Sequence, residues 1–292
     1  AHYLLFRMAV AADTAPLIVE SGPRIPAIIA GGERPVGRAL LDRLPALEIV
    51  ATMSVGTDAI DLQACRDRGI AVTNTPDVLT DDVADAALML MLAARRGLIA
   101  GHDKVRSGGW KAGAMPLTSS LTGKRAGIAG LGRIGKAIAA RCEVLGVEVG
   151  YTARNQRSEV LWPYFNGLIE LAAWCDVLIL SMPGGDATKG VVNAAVLTAL
   201  GPQGTLVNVA RGSVVDEPAL ISALRDGRIA NAALDVFWNE PTPDPSLVSL
   251  PNVVLYPHHA SGTVETRDRM AQLVVDNLAA HFAGRPLLTP VL

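Results

Sequence analysis

Aromatic side chains are scarce in this chain: Phe, Trp and Tyr make up 4% of its 292 residues, although half of the residues are hydrophobic. A core without them must be assembled from Ala, Val, Leu and Ile, as in sheets covered by helices. The length suggests about two domains. Cysteine is scarce too. Cys65, Cys142 and Cys175 are odd in number, widely spaced and set in apolar segments. That argues against a disulfide framework and a thiolate metal centre. It fits buried free thiols in a reducing compartment, so a cytoplasmic setting and no metal are expected. No apolar run approaches the roughly 18 residues of a membrane span. Charge of one sign is also missing: 26 basic residues face 28 acidic ones, net −2, without runs. Neither nucleic acid nor an anionic membrane is an expected partner. Repeats and low-complexity tracts are absent as well.

Glycine, by contrast, is concentrated where it matters. The apolar run Ala126–Ala129 leads into Gly130-Leu131-Gly132-Arg133-Ile134-Gly135, and an alanine-rich helical pattern follows over Ala137–Leu145. Strand, glycine turn and helix form the context of a dinucleotide-binding turn. Gly130 permits the tight turn and Gly132 a close approach of backbone to pyrophosphate. Gly135 lets helix pack on strand, and the helix N-terminus offers free N–H groups to phosphate.

Around this turn the chain alternates strand and helix. Before it, strands are expected at Tyr3–Phe6, Ala27–Ala30, Glu48–Thr52 and Ile70–Thr73, with helices over Val36–Arg43 and Asp61–Arg68. Thr80–Arg95, apolar nearly all round after Thr80-Asp81-Asp82, is expected as a buried helix with packed methionines. Residues 107–120 are expected to form a loop. Later strands are expected at Gly127–Gly130, Val147–Thr152, Asp176–Ser181, Thr205–Val209, Ile229–Asp235 and Val253–Pro257, with helices over Pro218–Arg225 and Glu265–Ala283. Such alternation implies an α/β fold with a mostly parallel, doubly wound sheet.

Ligands of such sheets lie beyond the carboxyl ends of the strands. Three of those ends carry polar residues. One strand runs through Val209 and Ala210 to Arg211, the next ends at Asp235 with Glu240 five residues on, and the last ends in Pro257-His258-His259-Ala260-Ser261. Singly, each could be a surface arginine, a turn cap, a solvated acid or a structural histidine. At successive strand ends they form a candidate catalytic rim.

The ordered motifs resemble the D-isomer-specific 2-hydroxyacid dehydrogenase family over nearly the whole chain. They are Ser54–Gly56, Ile60–Leu62, Val78–Ala84, Gly130–Gly135, Val209–Glu217, Ala233–Pro241 and Pro257-His258. Met182-Pro183-Gly184-Gly185 is similar to the variant of the glyoxylate/hydroxypyruvate reductase branch. The resemblance implies two Rossmann-like domains, the smaller one flavodoxin-like, and a cleft between them. Residues 1–75 and 264–292 would form the substrate domain and 76–263 the cofactor domain, with hinges near Asn74–Pro76 and Ser261–Thr263. Family members open with a further strand–helix unit, so Ala1 is not expected to be the natural start.

The resemblance also implies roles. Arg211 forks onto the carboxylate and carbonyl of a 2-oxo acid, which lysine does less well. The Val55 and Gly56 N–H groups grip the carboxylate. His258 donates the proton, Glu240 raises its pKa, and Asp235 holds the nicotinamide amide. His259 is the rival, but the family's histidine directly follows proline. Cofactor contacts extend to Met182, Pro183, Val209, Ala210, His258 and Ser261. A homodimer through the cofactor domains is implied, with Val83–Ala94 and the loop at Trp110 as interface candidates.

The cofactor itself is read after the second strand of the larger domain. An NAD site places a carboxylate about 20 residues past the glycines. Here the segment is Tyr151-Thr152-Ala153-Arg154-Asn155-Gln156-Arg157, without an acid. Arg154 can bind a 2′-phosphate that a carboxylate would repel, so NADP(H) is expected, with NAD(H) the alternative. A merely solvated arginine turn is the other reading of Arg154 and Arg157. The expected reaction is reduction of glyoxylate or hydroxypyruvate to glycolate or D-glycerate. The alternatives are another small 2-oxo acid and a non-catalytic dinucleotide sensor of the corepressor type.

Overall fold

The computed structural model describes residues 15–31 and 35–292, so the strand expected at Tyr3–Phe6 lies outside the described residues. The chain forms two compact units, one of residues up to Val78 with Arg267–Leu292, the other of Leu79–Thr266. The crossings thus fall at Val78–Leu79 and Thr266–Arg267, against expected breaks at 75/76 and 263/264.

In the smaller unit α1 (Ala15–Ser21), β1 (Ala27–Ala30), α2 (Arg38–Leu41), β2 (Ile49–Thr52), α3 (Leu62–Asp67) and β3 (Ala71–Thr73) follow in order. Their strands form a parallel sheet in the order β1-β2-β3. The central strand β2 is buried at every position, which explains its continuous apolar sequence. Leu41, Val50, Cys65 and Val72 pack in the core. Asp61 caps α3 by accepting the Ala64 N–H at 2.8 Å. The helix expected over Val36–Arg43 is a single turn, which begins only after Gly37 in extended conformation. The C-terminal tail joins this unit through hydrogen bonds. Buried Asn277 accepts the Leu288 and Thr289 N–H groups at 3.0 and 3.2 Å, and Val291 N–H donates to the Val72 carbonyl at 2.7 Å.

The larger unit begins with α4 (Thr80–Arg96) and α5 (Leu98–Arg106), then alternates β4 (Arg125–Ala129), α6 (Arg133–Val144), β5 (Glu148–Thr152), α7 (Leu168–Trp174) and β6 (Val177–Leu180). It continues with α8 (Ala194–Leu200), β7 (Thr205–Asn208), α9 (Glu217–Arg225), β8 (Asn231–Leu234), α10 (Pro245–Val248) and β9 (Val253–Leu255), and α11 (Val264–Phe282) leaves it. All six strands are parallel, in the order β5-β4-β6-β7-β8-β9. Tyr164 adds one bridge outside β5. The winding direction reverses between β4 and β6, which makes that strand pair the crevice for a ligand. Leu178, Leu180 and Leu206 of the sheet share a core with Leu171, Leu197 and Leu220 of the covering helices.

Three local expectations change. Helix α6 starts at Arg133, directly after Gly132, so the glycine turn runs straight into it. The capping-type residues Thr80-Asp81-Asp82 lie inside the first turn of α4, with Leu79 at the cap. There Asp81 and Asp85 pair with Arg141 of α6, at 2.9 and 2.6 Å. Met91 is buried, but Met89 is 44% exposed. It lines an apolar groove of about 720 Å³ with Leu88, Leu92, Leu98 and Val144. No helix among the described residues is long and apolar enough to cross a membrane.

Candidate active site

The glycine turn sits at the carboxyl end of β4, on the crevice. Gly130 has φ of +99°, and a side chain there would strike the Met182 backbone at 2.7 Å. A side chain on Gly135 would lie 2.2 Å from the Gly130 carbonyl, so helix and turn approach as only glycine allows. At Gly132, which caps α6 without a side-chain bond, a Cβ would meet nothing within 4 Å. The open space faces the N–H groups of a twelve-residue helix, a cradle that fits a pyrophosphate. Leu131 is buried beneath it, while Arg133 is exposed and Ile134 half-buried. Across the crevice, Ser181 donates from its hydroxyl to the Gly130 carbonyl at 2.7 Å and holds the start of the Met182-Pro183 turn. Thr188 bonds the Pro183 carbonyl at 2.8 Å.

At the end of β5, Arg154 and Asn155 are both exposed, and no carboxylate stands among residues 153–157. Exposed Arg154 and Arg157 thus put positive charge at this strand end.

The three strand ends that follow are stitched to one another. Asn208, the last residue of β7, accepts the Ala210 N–H and donates to the Arg211 carbonyl, both at 3.0 Å. Val209 and Ala210 are buried, and half-buried Arg211 follows them. Its guanidinium bonds the Ala210 carbonyl at 2.7 Å. Next, Gly212 touches the segment that carries Glu240: a Cβ there would sit 2.0 Å from the Phe237 carbonyl group. The Trp238 indole N–H closes the same contact by donating to the Val215 carbonyl at 2.6 Å.

Asp235 directly follows β8 and is almost fully buried. Its N–H donates to the Asn208 carbonyl at 2.9 Å, and its own carbonyl accepts the His258 N–H at 2.8 Å. The carboxylate accepts the His259 and Ala260 N–H groups, at 2.8 and 3.3 Å. Burial raises its pKa, and those hydrogen bonds with the nearby His258 charge oppose the rise. Asp235 is therefore first an anchor of the histidine turn, and only its remaining lone pairs are free for a ligand.

His258 has a left-handed backbone, φ +48°, unusual outside glycine. Its Nδ1 lies 2.6 Å from Glu240 Oε2, and Glu240 Oε1 accepts the Phe237 N–H at 2.8 Å. The Glu240 hydrogen bond raises the His258 pKa, outweighing burial and the Arg211 charge, which lower it. Burial would raise the pKa of Glu240, but the His258 and Phe237 hydrogen bonds and the charges of His258 and Arg211 hold it low. Both shifts favour the ionised pair over the neutral one, with Nδ1 facing the carboxylate. His259, by contrast, stacks edge-on against Tyr256 at 5.9 Å between ring centroids, its ring filling the space beside Gly262. Half-buried Ser261 lies in that turn.

In the smaller unit, Val55 and Gly56 follow β2 in a half-exposed loop, and Asn74 donates to the Val55 carbonyl at 2.9 Å. Sequence reasoning missed Asn208, Gly212 and Trp238. Asn208, beside the arginine at a strand end, is the one whose position could have flagged it.

Comparisons with known proteins identify the family. The family model "D-isomer specific 2-hydroxyacid dehydrogenase, NAD binding domain" matches residues 88–260. A 2-ketogluconate reductase of Gluconobacter oxydans is 50% identical over 92% of this chain and 87% of its own. Glyoxylate/hydroxypyruvate reductase A of Arabidopsis thaliana is 46% identical over 99% and 93%. The crystal structure of an NADPH-dependent glyoxylate/hydroxypyruvate reductase from Sinorhizobium meliloti, in complex with NADP and malonate, superposes with a TM-score of 0.91. That protein is 47% identical, with 96% of this chain and 88% of that one covered. This chain belongs to the D-isomer-specific 2-hydroxyacid dehydrogenase family, in its glyoxylate/hydroxypyruvate reductase branch, and is an NAD(P)-dependent oxidoreductase acting on CH–OH groups.

Proposed function

We propose that the protein reduces glyoxylate and hydroxypyruvate to glycolate and D-glycerate, with NADPH as the preferred reductant. The observation that carries this reading is the 2.6 Å His258–Glu240 pair, close enough to Arg211 for their charges to act on one another. A 2-oxo acid offers a carboxylate for a guanidinium fork and a carbonyl that needs a proton, and both requirements are met by this group.

In this mechanism Arg211 binds the substrate carboxylate and polarises the carbonyl oxygen. Val55 and Gly56 are assigned as further substrate-binding residues. A dihydronicotinamide held in the crevice would supply the hydride. His258 gives its Nε2 proton to the carbonyl oxygen as negative charge develops there, and Glu240 stabilises the imidazolium until then. Asp235 fixes the histidine turn and, with its spare lone pairs, the cofactor's carboxamide. Gly130–Gly135, with Met182 and Pro183, would hold the pyrophosphate end, and Arg154 with Asn155 the 2′-phosphate. We assign the groove face of α4 and the exposed Trp110 loop to a homodimer contact, since an apolar groove of this size on a cofactor domain fits a second copy.

The test is spectrophotometric. Loss of NADPH absorbance is followed with glyoxylate, hydroxypyruvate, pyruvate, 2-ketogluconate and hydroxyphenylpyruvate. The highest kcat/KM is expected for one of the first two. A higher value for another acid would reassign the substrate, and oxidation of none would overturn the proposed reaction.

A further inference from the structure

The arginine loop after β5 is built more firmly than its exposed sequence suggests. It leaves the sheet at Ala153 and is tied back at its base. There Tyr151 N–H donates to the Pro163 carbonyl at 2.9 Å, and Phe165 N–H donates to the Tyr151 carbonyl at 2.8 Å. Two tyrosines stand inside that base. Tyr151 is fully buried, and its ring lies 5.4 Å from that of Tyr164. The Tyr151 hydroxyl accepts the Arg157 N–H at 2.7 Å. The Tyr164 hydroxyl donates to the Ala153 carbonyl at 3.3 Å. The two phenols therefore hold the loop backbone on either side of Arg154 and Asn155. The loop's one acid, Glu159, is drawn away by Lys136 of α6 at 2.8 Å, and that bond keeps its pKa low.

We propose that Tyr151 and Tyr164 are specificity-determining positioning residues. Their hydroxyls preset the backbone of residues 153–157, so that Arg154 meets the cofactor's 2′-phosphate without first ordering the loop. Neither tyrosine is required to touch the cofactor. Preorganisation of this kind favours binding by removing an entropy cost that a free loop would carry. It acts only through the phosphate contact, and so on NADP rather than NAD. The proposal rests on the NADPH preference proposed above.

Calorimetric titration of the full chain with NADP⁺, NAD⁺ and adenosine 2′,5′-bisphosphate tests it, alongside KM for NADPH and NADH. Tyr151→Phe keeps the buried ring and removes only the hydroxyl. The NADP⁺ and bisphosphate dissociation constants should rise about two- to tenfold, the range of one net hydrogen bond, with NAD⁺ unchanged. Tyr164→Phe should act in the same direction. In an Arg154→Ala background, Tyr151→Phe should add nothing, because its effect travels through Arg154. Equal weakening of NADP⁺ and NAD⁺, or a full additional loss without Arg154, would overturn the proposal. Should Tyr151→Phe not fold by circular dichroism, Tyr164→Phe decides. A wild-type protein that binds NAD⁺ as tightly as NADP⁺ would overturn the cofactor reading itself, and this proposal with it.

Discussion

Replacing Glu240 by Gln separates the acid's charge from its shape. The wild-type carboxylate serves two partners, the Phe237 N–H through Oε1 and His258 Nδ1 through Oε2. A glutamine can keep the first with its carbonyl oxygen, but its amide then turns N–H toward Nδ1. That orientation suits a neutral imidazole and penalises the imidazolium. A hydrogen bond to a charged group is worth about 1.5–3 kcal/mol. The His258 side chain is 47% exposed, so the lower end applies. Losing that bond lets the His258 pKa fall from its raised position back toward the ordinary histidine range.

In the proposed mechanism, reduction needs protonated His258. Its rate is therefore full below the His258 pKa and falls as pH rises through it. Initial rates of NADPH oxidation with glyoxylate, taken from about pH 5.5 to 9, should show the alkaline limb of kcat/KM displaced to lower pH. At pH values well above the His258 pKa the variant should be about tenfold slower, the factor that ~1.4 kcal/mol represents, and at the acid end the two curves should converge. Binding of NADP⁺ should not change. An alkaline limb that stays in place, or a loss equal at every pH, would refute the assignment of Glu240 as the charge partner. The same pair sets a stability window. The Glu240 contribution is present above the unfolded carboxylate pKa of about 4.3 and is lost as pH falls through its lowered folded value. The His258 contribution is complete below about 6.5 and is lost as pH rises through its raised folded value.

Other perturbations probe the surrounding structure. Gly212→Ala places a methyl 2.0 Å from the Phe237 carbonyl group. It should cost about 1–3 kcal/mol in a denaturant titration and lower kcat more than cofactor affinity; an unaffected kcat would show that the two loops are not coupled. Arg154→Ala should weaken NADP⁺ at least tenfold and leave NAD⁺ within about twofold by calorimetry, the scale of one charge-assisted contact. All three cysteines are buried, and burial pushes the Cys142 and Cys175 thiols up to about 12. Titration with a thiol reagent near neutral pH should find these two unreactive until denaturant is added. Met89→Lys with Val144→Glu puts charge into the apolar groove, and sedimentation should show a shift from dimer to monomer with the fold retained.

The centre of the sheet was legible because its strands are buried on both faces. β6 is buried throughout and reads as an unbroken apolar run, and β7, equally buried, carries Leu206-Val207 between Thr205 and the rim residue Asn208. The fingerprint was legible because Gly130 and Gly135 answer steric demands that no other residue meets. Helix α5 was not legible. None of its residues is buried and Gly101 interrupts it, so it has no apolar stripe to read. The exposure of Met89 was equally hidden, since methionine on an apolar helix reads the same whether a core or a groove receives it. Nor could the tyrosine supports of the arginine loop be read, because side-chain bonds to backbone leave no periodic trace.

The rim owes its rigidity to a relay between neighbouring strands. His258 holds a left-handed backbone that a non-glycine residue keeps only when its surroundings over-determine it. Three bonds from Asp235 do so, its carbonyl taking the His258 N–H and its carboxylate the next two. Asp235 is in turn fixed by its own N–H on the Asn208 carbonyl, and the Asn208 side chain shapes the backbone that presents Arg211. β7 thus sets both the arginine and, through β8, the histidine at β9, while Gly212 and Trp238 lock the Glu240 segment to the same arginine turn. Acid, anchor and guanidinium cannot shift independently. For a reaction in which a proton must arrive where negative charge develops, that shared frame supplies the alignment before any substrate binds.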